Sequence, residues 1–365
     1  MKPQRRDGKS ISEGQHTLVM PNMRDVAARA GVSLSAVSLV VNGKPGVGSD
    51  KRSRVIKAMR ELGYTPNARK VAPSTHKVFG LLMESLSTPA NSDGFYQRII
   101  AGIEHGAYQH GYKLLLHVYR PGVDPLGDIR ELMGRDLDGL IIANDGDVTA
   151  DVIQHIASMG SPLVLVESYL DAPIHAVTAD NFSAGLSMTQ HLIELGHRRI
   201  GVICGPAKYS SLRDRLRGYQ VALLEHGLSI DPLLQPAPIS GQLRKGYHQM
   251  QQLLALPNPP TAVFAVSDKA AFGAIDAIRD AKLRIPEDIS IVGIDDVAES
   301  AYQNPPLTTY HVPKHKLGET AVRVMEDILH ADMPPVRILV SGSLVLRSST
   351  AAPRGKHEER RSVGA

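Results

Sequence analysis

The sequence predicts a small all-α helix-turn-helix domain followed by a much larger α/β domain with two lobes. Three observations lead to this fold class. Residues 23–66 contain short segments in which apolar residues recur at helical spacing, and glycine separates these segments. Beyond Lys77, apolar runs alternate with amphipathic helices. The roughly 270 residues of this second part are more than one doubly wound sheet usually needs, so we expect two lobes with a cleft between them.

The same signals predict the domain boundaries. We expect a disordered arm or a misplaced start at residues 1–22, a helix-turn-helix domain at 23–66 and a hinge linker at 67–77. The two-lobed domain is expected at 78–350, and a disordered tail at 351–365.

The first predicted helix has one apolar face, formed by Val26, Ala27 and Ala30, and it ends at Gly31, because glycine tolerates the left-handed conformation of a tight turn. A second helix is predicted to begin after Ser33 as its N-cap. Its inward residues are Val37, Val40 and Val41, and its outward residues are Leu34, Ser35, Ser38, Leu39 and Asn42.

A third helix is predicted after a loop that ends at Gly48. Ser49 is expected to cap it, and Gly63 and Pro66 to end it. Its expected core residues are Val55, Ile56, Met59 and Leu62. Two helices joined by a glycine-containing turn and backed by a third form the helix-turn-helix arrangement, whose second helix fits the major groove of DNA. A generic three-helix bundle is the alternative interpretation.

Positive charge is concentrated in the first part of the chain. Residues 1–77 hold 15 Lys and Arg against 5 Asp and Glu, whereas the remainder holds 26 against 32. A basic block is typical of proteins that bind a polyanion, because neutralising phosphates releases counterions. Since solvated basic surfaces are also common, the charge supports DNA binding only together with the helical motif.

Beyond Lys77, seven apolar runs are typical of strands: VFGLLM, YKLLLHV, DGLIIA, PLVLVE, RIGVIC, TAVFAV and ISIVGI. Continuous rather than alternating apolar character predicts strands buried on both faces, as in parallel sheets covered by helices. Ligands of open α/β sheets bind at the carboxyl ends of the strands, so the cleft is the expected binding site.

The composition also limits compartment and chemistry. No run approaches the roughly 18 apolar residues that span a bilayer, and residues 1–20 lack the apolar segment of a secretory signal, so we expect a cytoplasmic protein. The single cysteine, Cys204, lies in an apolar run and is expected to be a buried, inert thiol. Common catalytic motifs are absent and the histidines do not cluster, so we expect no enzyme activity, cofactor or metal.

The order and spacing of DVAARAGVS, AVS, VVNG and RVIKAMRELGYTPNA resemble the DNA-binding domain of the LacI/GalR family of bacterial transcription regulators. The resemblance implies that Leu34, Ser35 and Leu39 lie where the family contacts base edges. It implies that Ser33, Ser38 and Asn42 contact phosphates or position the helix.

Two departures from the family pattern affect DNA recognition. Most members carry arginine at the position of Leu39, and leucine cannot make the bidentate contact of arginine with guanine, so we expect a different operator base there. The family hinge forms a helix that inserts a leucine into the minor groove. Here Val71 stands at that position and Pro73 confines any hinge helix to about residues 67–72.

The larger domain resembles the LacI/GalR sensor, which is similar to periplasmic sugar-binding proteins. The matching segments are HLIELGHRRIGVICGP, RLRGYQVALLEHGL, PTAVFAVSD, IPEDISIVGIDD and PPLTTYHVPKHKLGETAV. The resemblance implies an aromatic border to the ligand at Phe95 and Tyr96, a clamping arginine at Arg215 and an acceptor at Asp295 from the other lobe. Secondary candidates are Ser211 and Asp268.

These residue types suit a carbohydrate, because arginine and carboxylate groups bind vicinal hydroxyls and an aromatic ring covers an apolar sugar face. Without the resemblance, Asp295 as the cap of a turn and Arg215 as part of an interlobe salt bridge are the simpler interpretations. A purine-type corepressor, or control by a partner protein, is the alternative to a sugar.

The resemblance implies a homodimer, or a higher oligomer, that binds a pseudopalindromic site on double-stranded DNA and whose DNA affinity depends on ligand-driven lobe movement. Repression is the expected outcome, with activation as the alternative. An extracytoplasmic sugar-binding protein also has such a large domain, but it requires a signal peptide and has no use for the basic N-terminal module.

Overall fold

The computed structural model describes residues 22–41, 46–62, 77–84, 94–119, 129, 132–143, 148–238, 246–331 and 333–354. The chain divides into two compact units between Lys70 and Val71, within the predicted linker. Most of that linker, including Val71 and Pro73, lies outside the described residues, as do Asn42 and residues 1–21.

The N-terminal unit contains α1 (Met23–Ala30), α2 (Leu34–Val41) and α3 (Ser49–Leu62). Helix α1 ends at Gly31, whose φ of 63° is left-handed, as the sequence predicts. The expected inward residues of α1 and α2 do form the core, with Val26, Ala27, Ala30, Val37 and Val40 buried.

One expected core residue of this unit differs from the prediction, and the N-cap of α1 was not predicted. Ile56 is exposed, whereas Ala58 is buried and packs with Val55. The buried face of α3 is therefore the one that carries Val55 and Ala58, and Ile56 lies outside it. Asn22 caps α1 in a capping box: its side chain accepts from the Arg24 and Asp25 amides while the Asp25 carboxylate accepts from the Asn22 amide.

The larger unit alternates strands and helices. Its elements up to residue 203 are β1 (Val78–Glu84), α4 (Phe95–Gln109), β2 (Lys113–Tyr119), β3 (Gly139–Ala143), α5 (Ala150–Ser158), β4 (Leu163–Val166), β5 (His175–Ala179), α6 (Asn181–Glu194) and β6 (Ile200–Ile203). They are followed by α7 (Ser210–Glu225), α8 (Tyr247–Leu254), β7 (Ala262–Ala265), α9 (Asp268–Asp280), β8 (Ser290–Asp295), β9 (Thr308–His311), α10 (Lys314–His330), β10 (Arg337–Val340) and β11 (Ser343–Val345), with 3-10 turns at Pro232–Leu234 and Ala298–Tyr302.

The strands form two sheets, which confirms the predicted α/β class. The first sheet has the order β10-β5-β4-β3-β1-β2 and is parallel throughout. The second has the order β11-β9-β8-β7-β6 and is parallel except for the antiparallel β11–β9 pair. No helix within the described ranges is long and apolar enough to cross a membrane.

All seven predicted strands are present, as β1 to β4 and β6 to β8. The buried-strand prediction fails at β2, where Leu116 is exposed because β2 is an edge strand of the first sheet. Four strands were not predicted: β5, β9, β10 and β11. Both β10 and β11 are edge strands with exposed positions, so they lack a continuous apolar run.

The chain passes between the sheets three times. Helix α6 follows β5 but packs on α7 and the second sheet, α10 follows β9 but packs on α4 and the first sheet, and β10 and β11 belong to different sheets. We define the first lobe as the first sheet with α4, α5 and α10, and the second lobe as the second sheet with α6 to α9.

Close contact between α6 and α7 fixes the position of α7 in the second lobe. An added Cβ at Gly185 would lie 2.1 Å from the carbonyl oxygen of Arg215, and one at Gly218 would lie 2.2 Å from that of Phe182. No larger residue fits at either glycine without moving a helix backbone. The register of α7, and with it the position of Arg215, is therefore set by α6.

The chain remains ordered beyond residue 350, contrary to the predicted start of the tail. Ala351 donates its amide to Ser290 Oγ at 3.1 Å, and its carbonyl oxygen lies 2.9 Å from His197 Nε2. Arg354 pairs with Asp288 at 2.7 Å. These contacts hold residues 351–354 against the second lobe, and residues 355–365 lie outside the described part of the chain.

His197 is a buried histidine of the second lobe. It also contacts Thr261 Oγ1 through Nδ1 at 2.8 Å. Burial lowers its pKa below the ordinary 6.5, and nearby His191 lowers it further, although the hydrogen bond with Ala351 acts in the opposite sense. The unfolded chain therefore binds a proton at a higher pH than the folded chain does. The contribution of His197 to stability is complete above its unfolded pKa and is lost as the pH falls below it.

We expect the urea midpoint of unfolding to fall between pH 7.5 and pH 5.5, and to fall less in His197→Gln, which is itself less stable at pH 7.5. Urea titrations followed by circular dichroism at both pH values check this. His155→Gln, at an exposed position of α5, is the matched control and should keep the wild-type pH dependence. A wild-type pH dependence in His197→Gln would contradict the assignment.

Candidate functional site

The outer face of α2 is formed by short and apolar side chains. Ser33 is the N-cap: its Oγ accepts the Ala36 amide at 3.2 Å and lies 2.9 Å from Ser35 Oγ. Leu34 and Ser35 are exposed, and Ser38 and Leu39 are half-buried on the side away from the buried valines. The predicted residues of α2 thus share one face, and Asn42 lies outside the described residues.

A shallow hollow at the start of α2 is lined by Ser33, Ala36 and Lys51, together with Ala27, Ala28, Gly31 and Val32. The free amides of a helix N-terminus and a lysine ammonium are the groups that bind a phosphate. This end of α2 is therefore suited to contact a nucleic-acid backbone.

In the larger unit, Arg215 on α7 is the centre of a buried polar network. Its Nε donates to Asn181 Oδ1 at 2.7 Å, and its Nη1 donates to the Val266 carbonyl at 2.7 Å. Nη1 also lies 2.9 Å from Oδ1 of Asp295, an ion-pair distance without the alignment of a hydrogen bond. The structure thus brings Arg215 and Asp295 together, but both belong to the second lobe, so the prediction that Asp295 comes from the other lobe is wrong.

Asp295 lies in a strained turn at the carboxyl end of β8. Its φ is 127° and that of Asp296 is 52°, both in the region that favours glycine. Asp296 pairs with Arg347 at 2.6 Å and His311 at 2.9 Å. Burial opposes ionisation of Asp296, yet these hydrogen bonds lower its pKa. The charged neighbour fixes the turn, and the turn aims the Asp295 carboxylate at Arg215.

Asp268 is completely buried, and its carboxylate accepts hydrogen bonds from residues of the second lobe. It accepts the Val297 amide at 3.1 Å and the Ser300 hydroxyl at 2.6 Å, and it accepts a short hydrogen bond from Thr309. Burial raises its pKa, against the effect of these donors. The predicted ligand contact of Asp268 is therefore not what the geometry favours: with no exposed surface, this carboxylate holds the segment that follows Asp295.

The other predicted ligand residues lie at helix starts. Ser211 is in the first turn of α7, one turn before Arg215. Phe95 and Tyr96 begin α4, with ring centroids 5.4 Å apart in an edge-to-face arrangement. Lys314 Nζ lies 5.6 Å from the centroid of the Phe95 ring. Lys314 thus connects the aromatic pair of the first lobe with the polar network of the second.

Two charged residues of this network, Lys314 and Glu167, were not predicted. Lys314, the first residue of α10, donates to the carbonyls of Asp295 and Val312. Glu167, at φ 59° after β4, accepts the Ala179 amide at 2.6 Å. Burial raises the pKa of Glu167, although Arg215 and Lys314 act in the opposite sense. A charged residue directly after a buried strand was the available signal for Glu167.

The cleft residues have little exposed surface. Arg215 is 3% exposed and Asp295 is 6% exposed, and Phe95, Tyr96 and Ser211 are also buried. One continuous group of buried apolar side chains includes members from both lobes. The lobes are therefore closed against each other around Arg215.

Two family models match the chain. The model for bacterial regulatory proteins of the lacI family matches residues 22–67. The model for a periplasmic binding protein-like domain matches residues 189–350. The first match covers α1 to α3, and the second covers most of the second lobe together with α10 and β10.

Similar proteins extend over nearly the whole chain. The HTH-type transcriptional repressor PurR of Haemophilus influenzae is 33% identical over 340 residues, which are 90% of this chain and 98% of PurR. The ribose operon repressor of Escherichia coli is 32% identical over 314 residues, covering 84% of this chain and 92% of the repressor.

Solved structures of transcription regulators are also similar to this chain over most of its length. The complex of the transcriptional regulator CelR with cellobiose has a TM-score of 0.70 at 31% identity, covering 90% of this chain and 99% of CelR. The lac repressor dimer bound to operator and the anti-inducer ONPF has a TM-score of 0.67 at 30% identity, covering 91% of this chain and 99% of the repressor chain.

Proposed function

This chain belongs to the lacI family of bacterial regulatory proteins, and from that premise we propose that it represses transcription as a homodimer on a pseudopalindromic operator, under the control of a carbohydrate bound between its lobes. The observation that carries the DNA-binding part is the outer face of α2, where Leu34, Ser35, Ser38 and Leu39 share the surface that the second helix of the motif presents to DNA.

Backbone contacts supply the rest of the proposed DNA interface. The hollow at the start of α2 offers Ser33 and Lys51 to a phosphate. The surplus of Lys and Arg over Asp and Glu in residues 1–77 supplies affinity that does not depend on sequence. Asn42 and Val71 keep their proposed roles as phosphate contact and minor-groove wedge, and both lie outside the described residues.

The Arg215–Asp295 pair supports a carbohydrate effector. A fixed guanidinium and a fixed carboxylate 2.9 Å apart offer a donor and an acceptor to adjacent hydroxyls. Phe95 and Tyr96 supply the apolar surface that a sugar ring also needs. Ser211 adds a hydroxyl one turn from Arg215, and Asp268 acts by positioning the turn that carries Asp295.

A purine-type corepressor is the second candidate effector, favoured by the two aromatic rings of Phe95 and Tyr96, on which a planar base would stack. The network around Arg215 is a binding arrangement in either case.

Two exposed tyrosines support the homodimer. Tyr108 in the first lobe is 81% exposed and Tyr302 in the second lobe is 87% exposed. Exposed aromatic rings of this size are typical of protein interfaces. A dimer that uses both lobes would couple lobe movement to the spacing of the two DNA-binding domains.

Selection of bound sequences from random duplex DNA tests the function directly. We expect the purified protein to enrich a pseudopalindrome whose half-sites are about one helical turn apart. A variant with Ser35→Ala and Leu39→Ala should lose the enrichment while keeping salt-dependent binding to unspecific DNA. Wild-type protein that enriches no sequence, with or without sugars and purine bases added, would contradict the proposal.

A further inference from the structure

Three side chains bridge the two lobes at a place separate from the Arg215 network. The Tyr169 hydroxyl donates to Asp214, and its oxygen lies 3.0 Å from Oδ1 and 3.1 Å from Oδ2. Arg337 Nη2 donates to the same carboxylate at 3.0 Å. The Arg337 guanidinium carbon lies 3.3 Å from the centroid of the Tyr169 ring. Each side chain therefore contacts the other two.

Two of the three residues belong to the first lobe and one belongs to the second. Tyr169 follows β4, and Arg337 begins β10 and pairs in register with Ala176 of β5, so both belong to the first lobe. Asp214 lies on α7 of the second lobe, directly before Arg215. The cluster thus ties the helix that carries the central cleft residue to the opposite lobe, and separating the lobes must break it.

Exposure distinguishes this cluster from the Arg215–Asp295 pair. The Asp214 side chain is 16% exposed and that of Arg337 is 37% exposed, whereas the Arg215–Asp295 pair is almost fully buried and lies within one lobe. Water can replace the contacts of a partly exposed ion pair at little cost, but not those of a buried one. The interlobe cluster is therefore suited to open and close reversibly.

We propose that Tyr169, Asp214 and Arg337 form an interlobe latch that holds the lobes closed, and that a ligand enters or leaves the cleft only when the latch is open. This inference rests on the proposed function of the cleft as the effector site. The latch sets the balance between closed and open lobes before any ligand binds, and so it sets how much of the binding energy is used to close them.

The test measures the distance between lobes in the full chain. Spin labels are placed on cysteines introduced at Gln154 of α5 and Gln252 of α8, both exposed, in a Cys204→Ala background. Labelled chains are diluted with unlabelled chains so that measured distances arise within one chain. We expect one main distance in the parent protein, and in Asp214→Asn a longer-distance population that is about fivefold larger or more.

Two further variants separate the latch from a general loss of structure. Tyr169→Phe removes only a hydroxyl and should shift the population in the same direction. Asp231→Asn is the matched control, because Asp231 pairs with Arg199 at the same 3.0 Å but within the second lobe, and it should leave the distances unchanged. Raising salt from about 0.05 M to about 0.5 M should open the parent protein more than Asp214→Asn.

Unchanged distances in both Asp214→Asn and Tyr169→Phe would overturn the latch, as would an equal change in Asp231→Asn. The distances are measured without DNA and without any ligand. They therefore report on the latch even if the operator selection fails, and the two proposals can be rejected separately.

Discussion

Replacing Arg215 with methionine is expected to lower the free energy of unfolding of the larger unit by about 3–5 kcal/mol, because breaking a buried pair leaves an uncompensated charge. Arg215 also satisfies Asn181 and the Val266 carbonyl, each at 2.7 Å, and both would lose a charged donor. Urea unfolding followed by circular dichroism measures the change. Arg217→Met, on the exposed side of the same helix, is the matched control and should change stability little.

The double variant Arg215→Met with Asp295→Asn decides whether the unpaired charge causes the loss. If it does, the double variant should be more stable than Arg215→Met alone, since the uncompensated carboxylate is gone. A loss that is the same or larger in the double variant would mean that packing around α7, rather than the ion pair, determines stability there.

The same residue should control the response to the effector. Arg215→Lys keeps the charge but loses the planar fork, and it is the milder variant if Arg215→Met does not fold. Ligands are first found by thermal shift of the wild-type protein with a panel of simple sugars and purine bases. We expect Arg215→Lys to weaken the best of these by at least about 30-fold, the equivalent of about 2 kcal/mol. Wild-type affinity in Arg215→Lys would exclude Arg215 from the site.

Local sequence signals predicted the elements whose character is set by their own residues. In the N-terminal unit, Gly31 ends α1 and Ser33 caps α2. The central strands have continuous apolar runs because both of their faces are covered. Edge strands β10 and β11 have one open side and partly exposed residues, so nothing in their sequence distinguishes them from loops. Their pairing depends on the chain crossing between lobes, which is a long-range property.

The site was predictable by residue type but not by role. Arg215 and Asp295 do lie together, yet an aspartate after a strand is equally suited to contact a ligand or to hold a turn. Asp268 and Asp295 both match that description and both are buried. They differ in that the Asp268 carboxylate accepts hydrogen bonds from Val297, Ser300 and Thr309. The Tyr169–Asp214–Arg337 cluster joins positions far apart in sequence, which no local pattern indicates.

Changing Leu39 to arginine is expected to switch the preferred operator base. In the structure Leu39 lies half-buried on the outer face of α2, with Leu34 and Ser35 on the same surface. Leucine can contact only an apolar group such as the thymine methyl, whereas arginine can donate two hydrogen bonds to guanine. We expect the selected half-site to change to a G·C pair at one position, with a discrimination of about 1–3 kcal/mol, or about 5-fold to 150-fold.

Lys51→Gln is the matched comparison, because Lys51 lines the hollow at the start of α2 and is placed to contact phosphate. It should weaken binding to all sequences similarly and reduce the salt dependence, without changing the preferred base. Selection on random duplexes with the three proteins distinguishes the two effects. If Leu39→Arg keeps the wild-type preference, then α2 does not read the operator through this position, and Leu34 and Ser35 must carry the base contacts alone.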